Sequence, residues 1–259
     1  MREYLFIVVI LGKMRRHILI TGGSRGIGAA LAKKFYKNND CVSIFSKNKK
    51  NNNKHKKFLN CYYADISNKK DIQRQILKSI NQHGFPDGVI LNAGIYKHVN
   101  AENIDSNIFK EHIDINYLGI IYCLEIIVPL MVKSRKGQIA IMSSVAGYRG
   151  LPKSSAYGPT KAALQNLVEC LYFDLNKHGI KLQIINPGFV KTDATSINDF
   201  KMPQLISAEK AAFFIFNGLH SSKFEIAFPS SFSKIMKLLK LLPHLSYLKL
   251  VGKKTGYNI

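Results

Sequence analysis

Residues 17–28 read HILITGGSRGIG, and this stretch decides the fold. HILIT (17–21) is a short apolar run of the kind that forms a buried strand. Gly22, Gly23, Gly26 and Gly28 then turn the chain, and Ile27 to Tyr36 carries helical spacing. A glycine turn between a strand and a helix lets backbone approach a pyrophosphate and aims the helix N-terminus at it. The candidate contacts here are Gly22, Ser24, Arg25, Gly26, Ile27 and Gly28. The spacing is G-x-x-x-G-x-G, and no Gly-Lys-Ser/Thr ending follows, which argues against a nucleotide triphosphatase.

Outward from this turn, short apolar runs alternate with helical segments. Strands are expected at 41–46, 60–64, 89–91, 138–143, 181–186 and 224–228. Helices are expected at 71–82, 106–132, 155–177 and 207–219, the last opened by a Ser-x-Glu pattern. Such alternation implies an α/β fold, a doubly wound parallel sheet of about seven strands covered on both faces. The division expected is an extension at 1–14, a dinucleotide-binding and catalytic domain at 15–228 and a basic amphipathic helical tail at 229–259.

A chain of 259 residues can bury a large core without disulfides. Cys41, Cys61, Cys123 and Cys170 show neither C-x-x-C pairing nor zinc-ligand spacing, and are expected as reduced thiols in a cytoplasmic protein with no metal. The formal charge of +22 favours anionic partners. The apolar run Tyr4 to Leu11 is too short to span a bilayer, so residues 1–13 read as an upstream extension or a weak anchor. KNKKNNNKHKK (47–57) reads as a frayed, solvated loop.

The second strand ends at Ser46-Lys47, where an acid would bond the ribose hydroxyls of NAD. A hydroxyl and a cation stand there instead, with Arg25 in the glycine turn. Together they suit a 2′-phosphate and point to NADP(H).

The chemistry lies in IMSSVAGYRGLPKSSAYGPTK (141–161). Tyr157 and Lys161 are four residues apart on an expected helix and share a face. A nearby ammonium favours a phenolate, which would make Tyr157 an acid and base near neutral pH. Ser144 stands at the C-terminal edge of a strand, where open sheets bind ligands. Pro159 threatens this geometry if it falls inside the helix rather than in its first turn.

Taken with Asn92-Ala93-Gly94 and Pro187-Gly188-Phe189-Val190-Lys191-Thr192, these motifs resemble the short-chain dehydrogenase/reductase family over about 15–228. The resemblance implies a ketone–alcohol oxidoreductase with Asn116, Ser144, Tyr157 and Lys161 as its tetrad. It implies that Tyr157 donates the proton, Ser144 holds the carbonyl oxygen, and Lys161 lowers the phenol's pKa and binds the nicotinamide ribose. Asn116 would support a water relay. It places Asp65, with Ile66 beside it, at the adenine. Asn92, Ala93, Gly94, Pro187, Gly188, Val190 and Thr192 complete the cofactor site. A homodimer or homotetramer is expected.

Ile197, Phe200, Met202, Leu205 and Ile206 suggest an apolar lid over a hydrophobic small-molecule substrate, with Tyr148, Arg149 and Leu151 on the opposite wall. In the tail, Phe232, Ile235, Met236, Leu239 and Leu242 form one helical stripe among lysines, followed by Leu245, Leu248 and Val251. The stripe suits an anionic membrane surface through 229–254, or equally the protein's own core or a partner subunit. A non-catalytic NADP(H)-binding scaffold is the rival function, and the complete tetrad argues against it. No recognition module supports nucleic-acid binding.

Overall fold

The computed structural model describes residues 15–200 and 202–257. The apolar run at Tyr4 to Leu11 lies outside the described residues. Strands β1 (His17–Thr21), β2 (Cys41–Ser46), β3 (Asn60–Tyr63), β4 (Gly88–Leu91), β5 (Gln138–Met142), β6 (Lys181–Pro187) and β9 (Glu225–Phe228) form one parallel sheet. Their order is β3-β2-β1-β4-β5-β6-β9, so the strand order reverses beside β1. Ligands of such sheets bind at the carboxyl ends of the strands at this switch point. A two-stranded parallel pair, β7 (Val190–Lys191) and β8 (Ile206–Ser207), stands apart, and it takes up Ile206, which the sequence placed in the lid.

Each face of the sheet carries its own core. Helices α1 (Gly26–Lys37) and α7 (Ala208–Leu219) cover one face, burying Leu31, Phe35, Ile44 and Ile215. On the other face, α3 (Lys69–His83), α5 (Gly119–Ser134) and α6 (Tyr157–Lys177) bury Ile72, Ile76, Ile120, Ile127, Leu164 and Val168. The strands are buried on both sides, which explains their continuous apolar sequences. The stretch Ser106–Ser134 is long and apolar enough to cross a membrane, yet one side of it packs into this core.

One expectation is corrected. The lysine-rich segment contains a short helix, α2 (Lys49–Asn53), rather than a frayed loop. Asn48 caps it by accepting from Asn51 N at 3.0 Å. Buried Asn52 donates to Tyr62 O at 3.0 Å and Ser46 O at 3.3 Å, which pins the segment between β2 and β3. The long helical stretch expected over 106–132 runs from Ser106 to Ser134, with a π-helical turn, Asp114–Leu118, between α4 (Ser106–Ile113) and α5. Such turns often mark functional sites.

The tail forms two helices, α8 (Ser230–Lys240) and α9 (His244–Thr255), joined at Leu241-Leu242-Pro243. The expected stripe divides. Met236 is buried with Val145 and Tyr148, and Phe232 and Leu239 pack on this cluster, whereas Ile235 is exposed. The body of the protein thus takes most of that face.

At the amino ends of the strands, His17 is buried in a polar chain. Ser79 Oγ donates to Ser43 Oγ at 2.8 Å, and His17 Nε2 lies 2.8 Å from Ser43 Oγ. His17 Nδ1 lies 2.8 Å from Gly84 O, which can only accept, so Nδ1 carries the proton and Nε2 accepts from Ser43. Burial lowers the imidazole pKa from 6.5, against the Gly84 bond that raises it. A depressed folded-state value means stability present above pH 6.5 that declines as pH falls below it. Urea unfolding at pH 8 and pH 5 checks this. His17→Gln cannot titrate and should show the shallower loss toward acid. Ser43→Ala should cost about 1 kcal/mol, since it removes the short bond to Nε2 and leaves only Ser79 Oγ, 3.4 Å away. An unchanged pH slope in His17→Gln would contradict the assignment.

Candidate active site

The carboxyl ends of β1, β2, β4, β5 and β6 open into one cavity of about 1340 Å³. Every sequence-expected cofactor residue lines it, together with Ser144, Tyr157 and Lys161. Asn116 stands behind that wall.

The glycine turn is shaped for close backbone approach. Gly22 has φ +65°, and a Cβ there would lie 2.8 Å from Ala93 Cα. A Cβ on Gly28 would lie 2.3 Å from Gly22 O. Neither position tolerates a side chain. Arg25 provides the N-cap of α1 without a capping side-chain bond, so the first-turn N–H groups remain available toward the cavity. Thr21 Oγ1 accepts from Asn92 N and Ala93 N at 3.0 and 3.1 Å, and Asn92 Nδ2 donates to Thr21 O at 3.0 Å, which ties the β4 end to the turn.

The corner beyond β2 holds Ser24, Arg25, Ser46 and Lys47. Ser24 Oγ donates to Ser46 Oγ at 2.7 Å, and His55 Nε2 lies 3.1 Å from Ser24 O. Both cations already have carboxylate partners. Lys47 Nζ lies 2.7 Å from Asp65, and Arg25 lies 3.3 Å from Asp193. Burial raises the Asp65 carboxyl, but bonds from Lys47 and Ser67 outweigh it and leave its pKa below the usual value. Both ion pairs are largely solvated, so each cation can turn toward a phosphate at little cost.

At the centre, α6 begins at Tyr157, which puts Pro159 in the first turn, where its missing N–H costs nothing. The helix is not broken, and Tyr157 and Lys161 share the cavity wall. Lys161 is 2% exposed, and its Nζ donates to Met142 O at 2.8 Å. Nζ stands 5.5 Å from the Tyr157 ring centroid. Ser144 Oγ accepts from Ala146 N at 3.1 Å and donates to Pro187 O at 3.5 Å, and its hydroxyl works on the Tyr157 phenol in favour of the phenolate.

The π-helical turn swings Asn116 under the β4 loop. Its Oδ1 accepts from Ile95 N at 2.8 Å, and its Nδ2 donates to Ile95 O at 3.0 Å. A Cβ on Gly94 would lie 3.1 Å from Asn116 Oδ1 and 3.6 Å from Lys161 Nζ. Four separate elements therefore converge within a few ångströms.

Burial dominates the titration of the central pair. It pushes the Tyr157 phenol up to about 12, against the Ser144 bond, and draws the Lys161 ammonium down to about 7. The expectation that Lys161 lowers the phenol's pKa is not met by the protein's own groups: both sit in a medium that resists charge. Lys161 can donate three hydrogen bonds and has one recorded protein acceptor. A ligand hydroxyl in the cavity is the partner such an ammonium suits.

The other half of the cavity is apolar. Leu151, Phe189, Phe200, Phe232, Met236 and Leu239 line it. Of the expected lid residues, Phe200 lines it, 5.8 Å from Phe189 between ring centroids, and Ile197 and Leu205 do not; all three are exposed. The segment after Thr192 is tied down by His98 on Asn198 at 2.8 Å and Lys153 on Asp199 at 2.7 Å. Tyr148 and Arg149 turn away to hold the tail. Sequence reasoning missed Tyr96, whose ring stands edge-on to Tyr157 at 5.0 Å, and the tail residues in the wall. The tail's helical stripe was a visible signal, whereas nothing in the sequence marks Tyr96.

The fold and site define a nicotinamide-dependent oxidoreductase class. The chain belongs to the short chain dehydrogenase family, whose model matches residues 16–201. It is 34% identical over 161 residues to an uncharacterized oxidoreductase of Myxococcus xanthus, covering 62% of this chain and 64% of that one. It is 32% identical over 187 residues to the 3-oxoacyl-(acyl-carrier-protein) reductase FabG of Chlamydia muridarum, covering 68% and 75%. It is 28% identical over 197 residues to bovine 3-ketodihydrosphingosine reductase, covering 69% and 59%. The chain thus spans less than two thirds of the Myxococcus and bovine relatives. The solved structure of ElxO with NADP bound superposes with a TM-score of 0.73 at 25% identity, covering 83% of this chain and 98% of that one.

A buried lysine held near pH 7 carries a testable cost. Its folded-state pKa lies below the unfolded value of 10.5, so stability rises as pH rises from about 7 toward 10.5. Lys161→Met removes that dependence. We expect its melting temperature to exceed the parent's by several degrees at pH 6 and the gap to shrink by pH 9, with turnover lost. A gap that widens with pH would contradict the reading.

Proposed function

We propose that this chain is an NADP(H)-dependent reductase of a hydrophobic ketone or lipid-like carbonyl compound. The observation that carries it is a single cavity with a glycine-cradled polar half and an apolar half, joined at Ser144, Tyr157 and Lys161. NADP(H), the cofactor of the related ElxO structure, fits the polar half. The turn can pack against Asn92 and Ala93 because Gly22 and Gly28 lack a Cβ, and β2 ends on Ser46, followed by Lys47, without an acid.

In this reading Arg25, Ser46 and Lys47 hold the 2′-phosphate, and Asp65 and Ile66 border the adenine. Asn92, Ala93 and Gly94 form the floor, and Pro187, Gly188, Val190 and Thr192 the wall beside the nicotinamide. When bound, the cofactor supplies the hydride. Ser144 and Tyr157 hold the carbonyl oxygen, and Tyr157 Oη gives it a proton. Lys161 bonds the ribose hydroxyls and brings positive charge near the phenol, favouring loss of that proton. Asn116 positions the Ile95 backbone and, through it, the solvent path to Lys161. The same reading makes the protein cytoplasmic, a homodimer or homotetramer, and peripheral to a membrane through residues 229–254.

Two measurements test the proposal. Titration should show NADPH bound more tightly than NADH, with Arg25→Ala/Lys47→Ala weakening NADPH at least tenfold and NADH little. Equal affinity for both cofactors in the parent would overturn the corner assignment. A panel of ketones of increasing chain length, assayed by NADPH consumption, should show kcat/KM rising about fourfold per added CH2, from ~0.8 kcal/mol of burial each. Equal rates on small polar carbonyls would remove the apolar substrate, and NADPH binding without turnover on any carbonyl would favour the scaffold reading.

A further inference from the structure

The tail helices α8 and α9 and the turn between them are fastened to the body. Arg149 donates to the last carbonyls of α8, Leu239 O and Lys240 O, at 3.2 Å, and to Leu242 O in the turn at 2.6 Å. Its guanidinium also lies 4.1 Å from the centroid of the Tyr247 ring, whose hydroxyl donates to Gly150 O at 2.7 Å. The Glu225 carboxylate at the sheet edge accepts from Lys237 and from Tyr148. Phe232, Met236 and Leu239 face inward to the cavity, and a Cβ on Gly188 would lie 2.9 Å from the Phe232 ring.

This fixed inner face leaves a second apolar surface outside. Leu238 is 66% exposed, Leu241 79% and Leu245 71%, with Ile235 and Leu248 beside them in sequence spacing. They flank, in sequence, the turn between the two helices, Leu241-Leu242-Pro243, where a turn in water ordinarily carries polar residues. Single exposed leucines need no explanation, but several in one short stretch do. Its charge setting is one-sided. After Glu225 the chain has no Asp or Glu, while Lys234, Lys237, Lys240, Lys249, Lys253 and Lys254 stand along the two helices.

We propose that the turn between α8 and α9 docks on an anionic bilayer surface. Leu238, Leu241 and Leu245 enter the boundary between headgroups and acyl chains, and the lysines other than Lys237 meet acidic heads. The docking residues differ from the stripe expected from sequence, because Phe232, Met236 and Leu239 belong to the cavity. The cavity extends along the same tail to Leu250, Val251, Lys254 and Tyr257, so a docked molecule has its apolar chamber next to the lipid. Docking stands on the tail alone; delivery of a lipid-like carbonyl to Tyr157 rests on the reductase reading.

The test is sedimentation of the full chain, loaded with NADPH, with vesicles of phosphatidylcholine alone or mixed with phosphatidylserine. The parent should bind the acidic vesicles at least tenfold more tightly than the neutral ones. Leu241→Asp/Leu245→Asp alters only exposed side chains and should lose at least tenfold on acidic vesicles. Lys249→Gln/Lys253→Gln should lose severalfold and keep a folded core, as read by NADPH binding. A parent that stays in the supernatant with acidic vesicles overturns the proposal. So does undiminished sedimentation of the leucine variant, which would leave the lysines as a nonspecific charge. A parent dimer that the leucine variant converts to monomer, without vesicle binding, assigns the surface to a second copy instead. Vesicle binding is read without turnover, so its failure leaves the reductase reading standing, and an inactive enzyme that binds vesicles leaves the docking standing.

Discussion

A lysine buried to 2% exposure must have its charge answered or give it up, and the site is arranged around that constraint. Met142 O answers one of the three donor positions of Lys161. The remainder belongs to the cavity, which makes the site more complete with a polar ligand than without one. The same burial raises the phenol of Tyr157 and lowers the ammonium of Lys161, so the two groups are poised against the charged state. In the proposed reaction, a cofactor hydroxyl bonded to the ammonium would shift both, coupling cofactor binding to the acidity of Tyr157.

The scaffold around this lysine is stiff for identifiable reasons. Asn116, in the π-helical turn, reaches the Ile95 backbone with both ends of its amide. Ser143 Oγ donates to Lys161 O at 2.8 Å, and Thr160 Oγ1 to Tyr157 O at 2.7 Å, tying the start of α6 to β5 and to itself. Gly94 leaves the space between Asn116 and Lys161 open. The apolar half of the cavity is held differently. The tail helices α8 and α9 contribute to its wall, and Arg149 and Glu225 fasten α8 through charge at its C-terminus and at a sheet edge.

The strands were legible because each is a short apolar run bounded by glycine, asparagine or a helix signal, and β1 and β2 were read with the boundaries they have. The central residues were legible because their spacing carries the chemistry: Tyr157 and Lys161 on one helical face, Ser144 at a strand's end. What sequence could not show depends on tertiary partners. The π-helical turn at Asn116 follows from the Ile95 backbone across the loop, and nothing in EHIDINYLG reports it. KNKKNNNKHKK looks solvated until the carbonyls of Ser46 and Tyr62 capture Asn52. An amphipathic stripe such as 232–242 reads the same whether its partner is a membrane or the protein itself, and here the body takes Phe232, Met236 and Leu239.

In the proposed reaction the Tyr157 hydroxyl supplies the proton. Tyr157→Phe keeps the ring, its edge-on contact with Tyr96 and the helix start, and removes only that hydroxyl. Single-turnover reduction of a ketone that the parent reduces, measured beside NADPH affinity, separates chemistry from binding. The account predicts a rate lowered about 10²–10⁴-fold, the usual contribution of a positioned general acid, with NADPH affinity within a few-fold of the parent. A variant that retains most of the parent's rate would contradict it.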